Sequence, residues 1–193
     1  MRSKTNQNIS GQQLVADFQT VGISRTTAIV AKEAAKQSEE VVMNQLSSVS
    51  GGNYLNPENI NEAQGDYVVR ASIDAHIKKV QAEQLDSLTS AQLNDIMTKD
   101  TASYKGKKVR VISITKDYKP FDGYWFDPKN GPRSNELKKQ VVEGKIAEIN
   151  FEKNLIVLEP TRLSRLISSS LKSYAVYVIN PQTLMPAVEI HLI

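Results

Sequence analysis

The chain has 193 residues, 40% of them apolar and 23% charged, which is length enough for one sizeable core or two small ones at an ordinary globular composition. It contains no cysteine and only two histidines, His76 and His191, so disulfides, thiolate chemistry and a His-rich metal site are excluded. The net charge of +3 is uneven: residues 1–105 carry 10 Lys/Arg against 12 Asp/Glu, and residues 106–193 carry 14 against 9.

Met1 to Gly11 is polar and lacks the apolar core of a signal peptide. Cytoplasmic synthesis without secretion is therefore expected, and no apolar run is long enough to span a bilayer, so no membrane role is expected. Residues 1–9 read as a flexible polar arm. Ser10 is a plausible N-cap for a short helix through Thr20, with Gly22 as its stop. Ser24 then caps a longer helix, Arg25 to about Ser48. Ala28, Ala31, Ala35, Val42, Leu46 and Val49 share one face, with Lys32, Glu33, Lys36, Glu39 and Glu40 turned away. A narrow face of small residues lets another helix approach closely, in the same chain or in a neighbouring subunit.

The run Gly22 to Ala28, Gly-Ile-Ser-Arg-Thr-Thr-Ala, resembles the turn and recognition-helix start of a DNA-binding helix-turn-helix. Phe18 and Asp17 depart from the small and apolar residues that motif places before its glycine, and a capped helix hairpin is the simpler reading. Ser50-Gly51-Gly52-Asn53 marks a break, Asn56-Pro57-Glu58 a helix start, and Gly65-Asp66 a further interruption. From Tyr67 the pattern fits both periods. Val69, Ile73, Ile77 and Val80 form a helical stripe, whereas Tyr67, Val69, Ala71, Ile73, Ala75 and Ile77 alternate as in a strand. The continuation to Leu88 without Gly or Pro favours helix from about Ala71, with a strand allowed at Tyr67–Arg70. Thr89 or Ser90 caps a last short helix through Met97.

Helical periodicity gives way to strand periodicity at Ala102 to Gly106, which divides the chain into a helical region, 10–105, and a β-rich domain, 106–193. Lys108 to Ile114 reads as a strand and Lys116 to Gln140 as an irregular segment. Val141 to Phe151 and Leu155 to Leu158 read as a hairpin whose turn places Asn154 in a left-handed conformation. A short amphipathic helix is expected over Thr161 to Leu171, with Leu163, Leu166, Ile167 and Leu171 on one face and Arg162, Arg165 and Lys172 elsewhere. Two strands follow, Tyr174 to Ile179 and Ala187 to Ile193, joined through Asn180-Pro181-Gln182-Thr183. The fold class is α+β: an N-terminal helical region, then a small antiparallel β-barrel or curved sheet with one short helix inserted.

The chemistry-bearing features are few. Asp117, Asp122 and Asp127 lack the order of a calcium loop, and neither a nucleophile elbow, a phosphate loop nor a dinucleotide fingerprint occurs. No catalytic residue, cofactor or metal is assigned, and a non-enzymatic role is expected. One cluster stands out. Tyr118, Phe121, Tyr124, Trp125 and Phe126 place five of the twelve aromatics within nine residues, beside cations that include Lys129 and Arg133. The rings fit three roles: closing the end of a barrel, anchoring a protein interface, or stacking the bases of a single-stranded nucleic acid. These seven residues are the candidate interface. The expected function is a structural or adaptor subunit of a larger assembly, such as a virion or another multi-protein machine, oligomeric and bound to protein partners through the Ala-faced helix and the aromatic loop. The alternative is a nucleic-acid-binding accessory protein using the basic C-terminal half.

Overall fold

The computed structural model describes residues 11–49 and 62–193. The arm at 1–9, the Ser10 cap and the break and helix start expected at 50–58 lie outside the described residues. Two long helices, α1 (Gly11–Val49) and α2 (Glu62–Tyr104), precede β1 (Lys108–Ser113), β2 (Phe121–Asp127), β3 (Gly131–Glu136), β4 (Val141–Asn150) and β5 (Leu155–Pro160). A short helix, α3 (Arg162–Ile167), leads to β6 (Leu171–Tyr177) and β7 (Val188–Leu192). The seven strands form one antiparallel sheet in the order β3-β2-β6-β5-β4-β1-β7. The architecture is mixed α+β, as expected, with a short helix inserted in an antiparallel sheet that is open and does not close into a barrel.

Both helices run through the punctuation that the sequence suggested. Gly22 does not stop α1: a side chain there would begin 3.0 Å from the Ile179 Cδ1 and 3.4 Å from the Leu184 Cδ2. The glycine admits a close approach of the helix to the 178–186 connection, against a helical cost of about 1 kcal/mol. Gly65-Asp66 likewise lies inside α2, with no strand at Tyr67–Arg70 and no separate helix after Thr89. The Thr89 hydroxyl donates back to the Leu85 carbonyl at 2.8 Å, a mid-helix bond in place of a cap.

The chain parts into two compact units, one holding the segment through Ile23 with Leu93–Ile193, the other Ser24–Gln92. In the second, the two helical segments run antiparallel. Ser24 bonds Gln92, Lys32 pairs with Asp86, Lys78 bonds Ser38 and Lys79 pairs with Glu39, at 2.9–3.3 Å, the α2 partner falling from 92 to 78–79 as the α1 residue rises from 24 to 38–39. Such exposed pairs are worth about 0–1 kcal/mol each and serve register more than stability. The seam itself is made of small residues seven apart: Ala28 and Ala35 on α1, and Val68, Ala75, Ala82 and Thr89 on α2, all buried. The alanine face is thus covered by the chain's own second helix.

In the first unit the helix ends complete the sheet's core. Leu14, Val15, Phe18 and Val21 from α1, with Ile96 and Tyr104 from α2, join Val109, Val111, Phe121, Val142, Ile146, Ile156, Leu158, Tyr174, Val176, Val188 and Ile190. Alternation puts these strand residues on one face of the sheet. Phe18 meets Phe151 with ring centroids 4.4 Å apart. Residues 106–193 consequently share their core with the N-terminal end of α1 and the C-terminal end of α2.

The β4–β5 turn has Asn154 at φ 55°, as its residue type suggested. α3 is shorter than expected, and none of its residues is buried: Leu163, Leu166 and Ile167 are 68–83% exposed. Leu171, expected on that helix, is instead buried as the first residue of β6.

Candidate functional site

The segment 116–140, expected to be irregular, is a β-hairpin, and strand geometry decides where its rings go. Successive side chains of β2 point to opposite sides, so Phe121, Gly123 and Trp125 take the core side while Asp122, Tyr124 and Phe126 take the other. Phe121 is fully buried. Trp125 is half-buried, and its indole folds back over Gly123 so closely that a methyl group there would overlap the ring. Tyr118, just before the strand, is half-buried against the core, and burial raises its hydroxyl pKa above the ordinary value, with Tyr177 and Asp122 adding to the effect. The exposed rings are Tyr124 and Phe126, at 41% and 48%.

The seven candidate residues are therefore not one surface. Trp125 faces Arg133 across the hairpin, and Phe126 faces Pro132. Trp125, Phe126 and Arg133, with Pro128, Asn135 and Ser170, enclose a recess of about 350 Å³. Lys129 sits exposed at the turn between β2 and β3. Lys119 and Glu136 close the base of the hairpin with an ion pair of 2.8 Å. Tyr124 belongs to a separate groove on the outer sheet face, about 310 Å³, that also includes Ser134, Glu148, Asn150, Lys153 and Ser173. Near it Tyr177 donates to Asp122 Oδ2 at 3.4 Å, and burial foremost, then the Asp122 charge, raises the Tyr177 pKa. With the sheet open there is no barrel end for these rings to close.

A second apolar feature lies on the helical unit. On α2, Val69, Ile73, Ile77 and Val80 are 36–58% exposed and follow one another at four, four and three residues, a stripe along one side of the helix. It is distinct from the buried seam of Val68, Ala75 and Ala82. The sequence carried this signal as the ambiguous periodicity after Tyr67; that the stripe is left exposed among the described residues became legible only once the alanine seam had taken the other side.

A third constellation was not foreseen. Asp17 of α1 and Asp100 of α2 approach each other in the interior, Asp100 being 0% exposed. Gln13 donates to Asp17 Oδ1 at 3.0 Å and Lys99 Nζ lies 3.9 Å from Asp17 Oδ2. The remaining Asp17 oxygen and both Asp100 oxygens are buried without another hydrogen-bond partner. Burial first, and the neighbouring Asp17 charge second, push the Asp100 carboxyl up to about 7, against the pull of Lys99. The Tyr104 hydroxyl below them is pushed up to about 12, again by burial before the two carboxylates. Neither aspartate lines the recesses at the hairpin or on the outer sheet face.

His76 and His191 are both exposed, the latter 3.3 Å from Glu189. Among the described residues no group of three or more His, Asp or Glu could hold a metal ion, and no helix is long and apolar enough to cross a membrane. Comparison with protein-family models, with curated proteins and with solved structures gives no match.

Proposed function

We propose that the protein is a non-enzymatic structural or adaptor subunit of a larger macromolecular assembly, held to other protein subunits by the outer stripe of α2 and by the aromatic hairpin. The observation that carries this reading is the stripe Val69, Ile73, Ile77 and Val80. A helix apolar on one side is stabilised by one partner; α2 already has that partner in α1, and a second apolar side is left in water. The spacing of four, four and three is that of anchors for a second helical surface, and the stripe spans about 16 Å of helix at 1.5 Å per residue. Tyr124 and Phe126 add exposed amphipathic rings of the type that interfaces use as anchors.

The alanine face of α1 no longer serves as a partner surface in this reading, since α2 occupies it. The test is a double substitution, Ile73→Lys with Ile77→Lys. Because both side chains are about half exposed, the free chain should keep its unfolding midpoint, while association measured by sedimentation, alone and with proteins from its source, should fall at least tenfold. Undiminished association would reject the stripe. Association that vanishes on raising salt from 50 to 300 mM, with nucleic acid in the complex, would instead point to phosphate binding by the basic half.

A further inference from the structure

α3 is anomalous on its own terms. It has six residues, too few for an isolated helix to persist by propensity, and none of them is buried. Thr161 caps it through the Ser164 N–H, and beyond the cap it turns Leu163, Leu166 and Ile167 to solvent. Beside it opens a recess of about 600 Å³ whose lining includes Lys108, Lys145, Glu159, Arg162, Leu163 and Arg165. All four of these cations are exposed, and none of their side chains takes part in an ion pair or hydrogen bond among the described residues. The rim therefore carries four uncompensated positive charges against one carboxylate, around the apolar side chains of Leu163 and Pro160.

We infer that the recess and α3 together form a docking site for an acidic protein segment bearing an aliphatic or aromatic anchor. The volume suits a few side chains, and Leu163 offers the anchor an apolar wall. The four cations select for carboxylates on either side of the anchor and repel basic segments, which sets both encounter rate and partner choice. Glu159, within the lining, is suited to accept a backbone N–H from the bound segment. Charge alone would also attract nucleic acid, but no aromatic ring lines this recess for a base to stack on, and Glu159 opposes phosphate. A bilayer surface is flat and would leave the recess unfilled. The site is separate from the α2 stripe and the aromatic hairpin, so it stands or falls independently of them.

The test uses a display library of random 12-residue peptides selected on the full-length chain, with Arg162→Glu/Arg165→Glu and Leu163→Ser as parallel targets. The expected winners combine Asp or Glu with Leu, Ile or Phe. A synthetic winner, followed by fluorescence anisotropy, should lose about tenfold or more in affinity on either variant, as truncating a central contact does. Unfolding midpoints should match wild type because the substituted side chains are exposed. No enrichment, winners without acidic bias, or equal affinity for both variants would each overturn the inference. So would a result in which the charge reversal abolishes binding of a single-stranded oligonucleotide or of phosphatidylserine vesicles while acidic peptides bind neither version.

Discussion

Replacing Asp100 by Asn should stabilise the protein, and by an amount that depends on pH. Asp100 is fully buried beside Asp17, and its folded-state pKa is about 7 against 3.8 for the free side chain. The folded chain thus holds this proton more tightly than the unfolded chain does. Below about pH 4 both states are largely protonated and ionisation of the group costs little; as pH rises from 4 to 7 the unfolded state releases its proton first, so stability falls, and above about 7 to 8 it levels off. Three pKa units at 1.36 kcal/mol each set the ceiling on the loss at about 4 kcal/mol. Asn keeps the shape, removes the charge and supplies an N–H that can donate to Asp17. Urea unfolding of both proteins at pH 4, 5.5, 7 and 8.5 measures the difference directly. The variant should gain little at pH 4 and about 2–4 kcal/mol at pH 8.5, with most of the change between 5 and 7. Parallel stability curves for the two proteins, or a variant that is weaker at every pH, would refute the buried-proton account.

Phe121→Ala should destabilise the chain by about 3–5 kcal/mol, since the ring is fully buried in the core, whereas Tyr124→Ala on the outer face of the same strand should cost less than about 1 kcal/mol in the same denaturant titration. Trp125→Ala should fall between them, because its indole is half-buried over Gly123; a loss as large as that of Phe121→Ala would mean the ring is core, and no loss would mean it is free surface. Ala35→Leu should overpack the helical seam and cost about 1–3 kcal/mol, while Val41→Leu, exposed on the same helix, should be near neutral by thermal unfolding.

The β-region was legible where local chemistry and tertiary demand agree. Val109 and Val111 alternate with Lys108 and Arg110, and Asn154 supplies the left-handed turn, so β1, β4 and β5 could be placed from residue types alone. The helices were misdivided because Gly22, Gly65 and Thr89 carry local stop or cap signals that packing overrides: Gly22 lies close against the side-chain ends of Ile179 and Leu184, and Thr89 satisfies its hydroxyl on the preceding turn. β3 was missed since Gly-Pro-Arg-Ser-Asn-Glu has no apolar alternation; as an edge strand it is exposed almost throughout and is formed by pairing with β2. The aromatic cluster was visible, but a run of five rings says nothing of which face each takes until the segment is known to be a strand. α3 misled in the opposite way: Leu163, Leu166 and Ile167 have the spacing of a buried face, and spacing does not report whether anything lies opposite.

The most direct measurement of the assembly reading is side-chain footprinting with a small photoactivated carbene, comparing the free chain with the complex isolated from its source. Val69, Ile73, Ile77 and Val80, open in the free chain, should be labelled strongly there and protected in the complex, with Tyr124 and Phe126 protected alongside them. Equal labelling of the α2 stripe in both states would contradict the claim that this surface joins the protein to its partners.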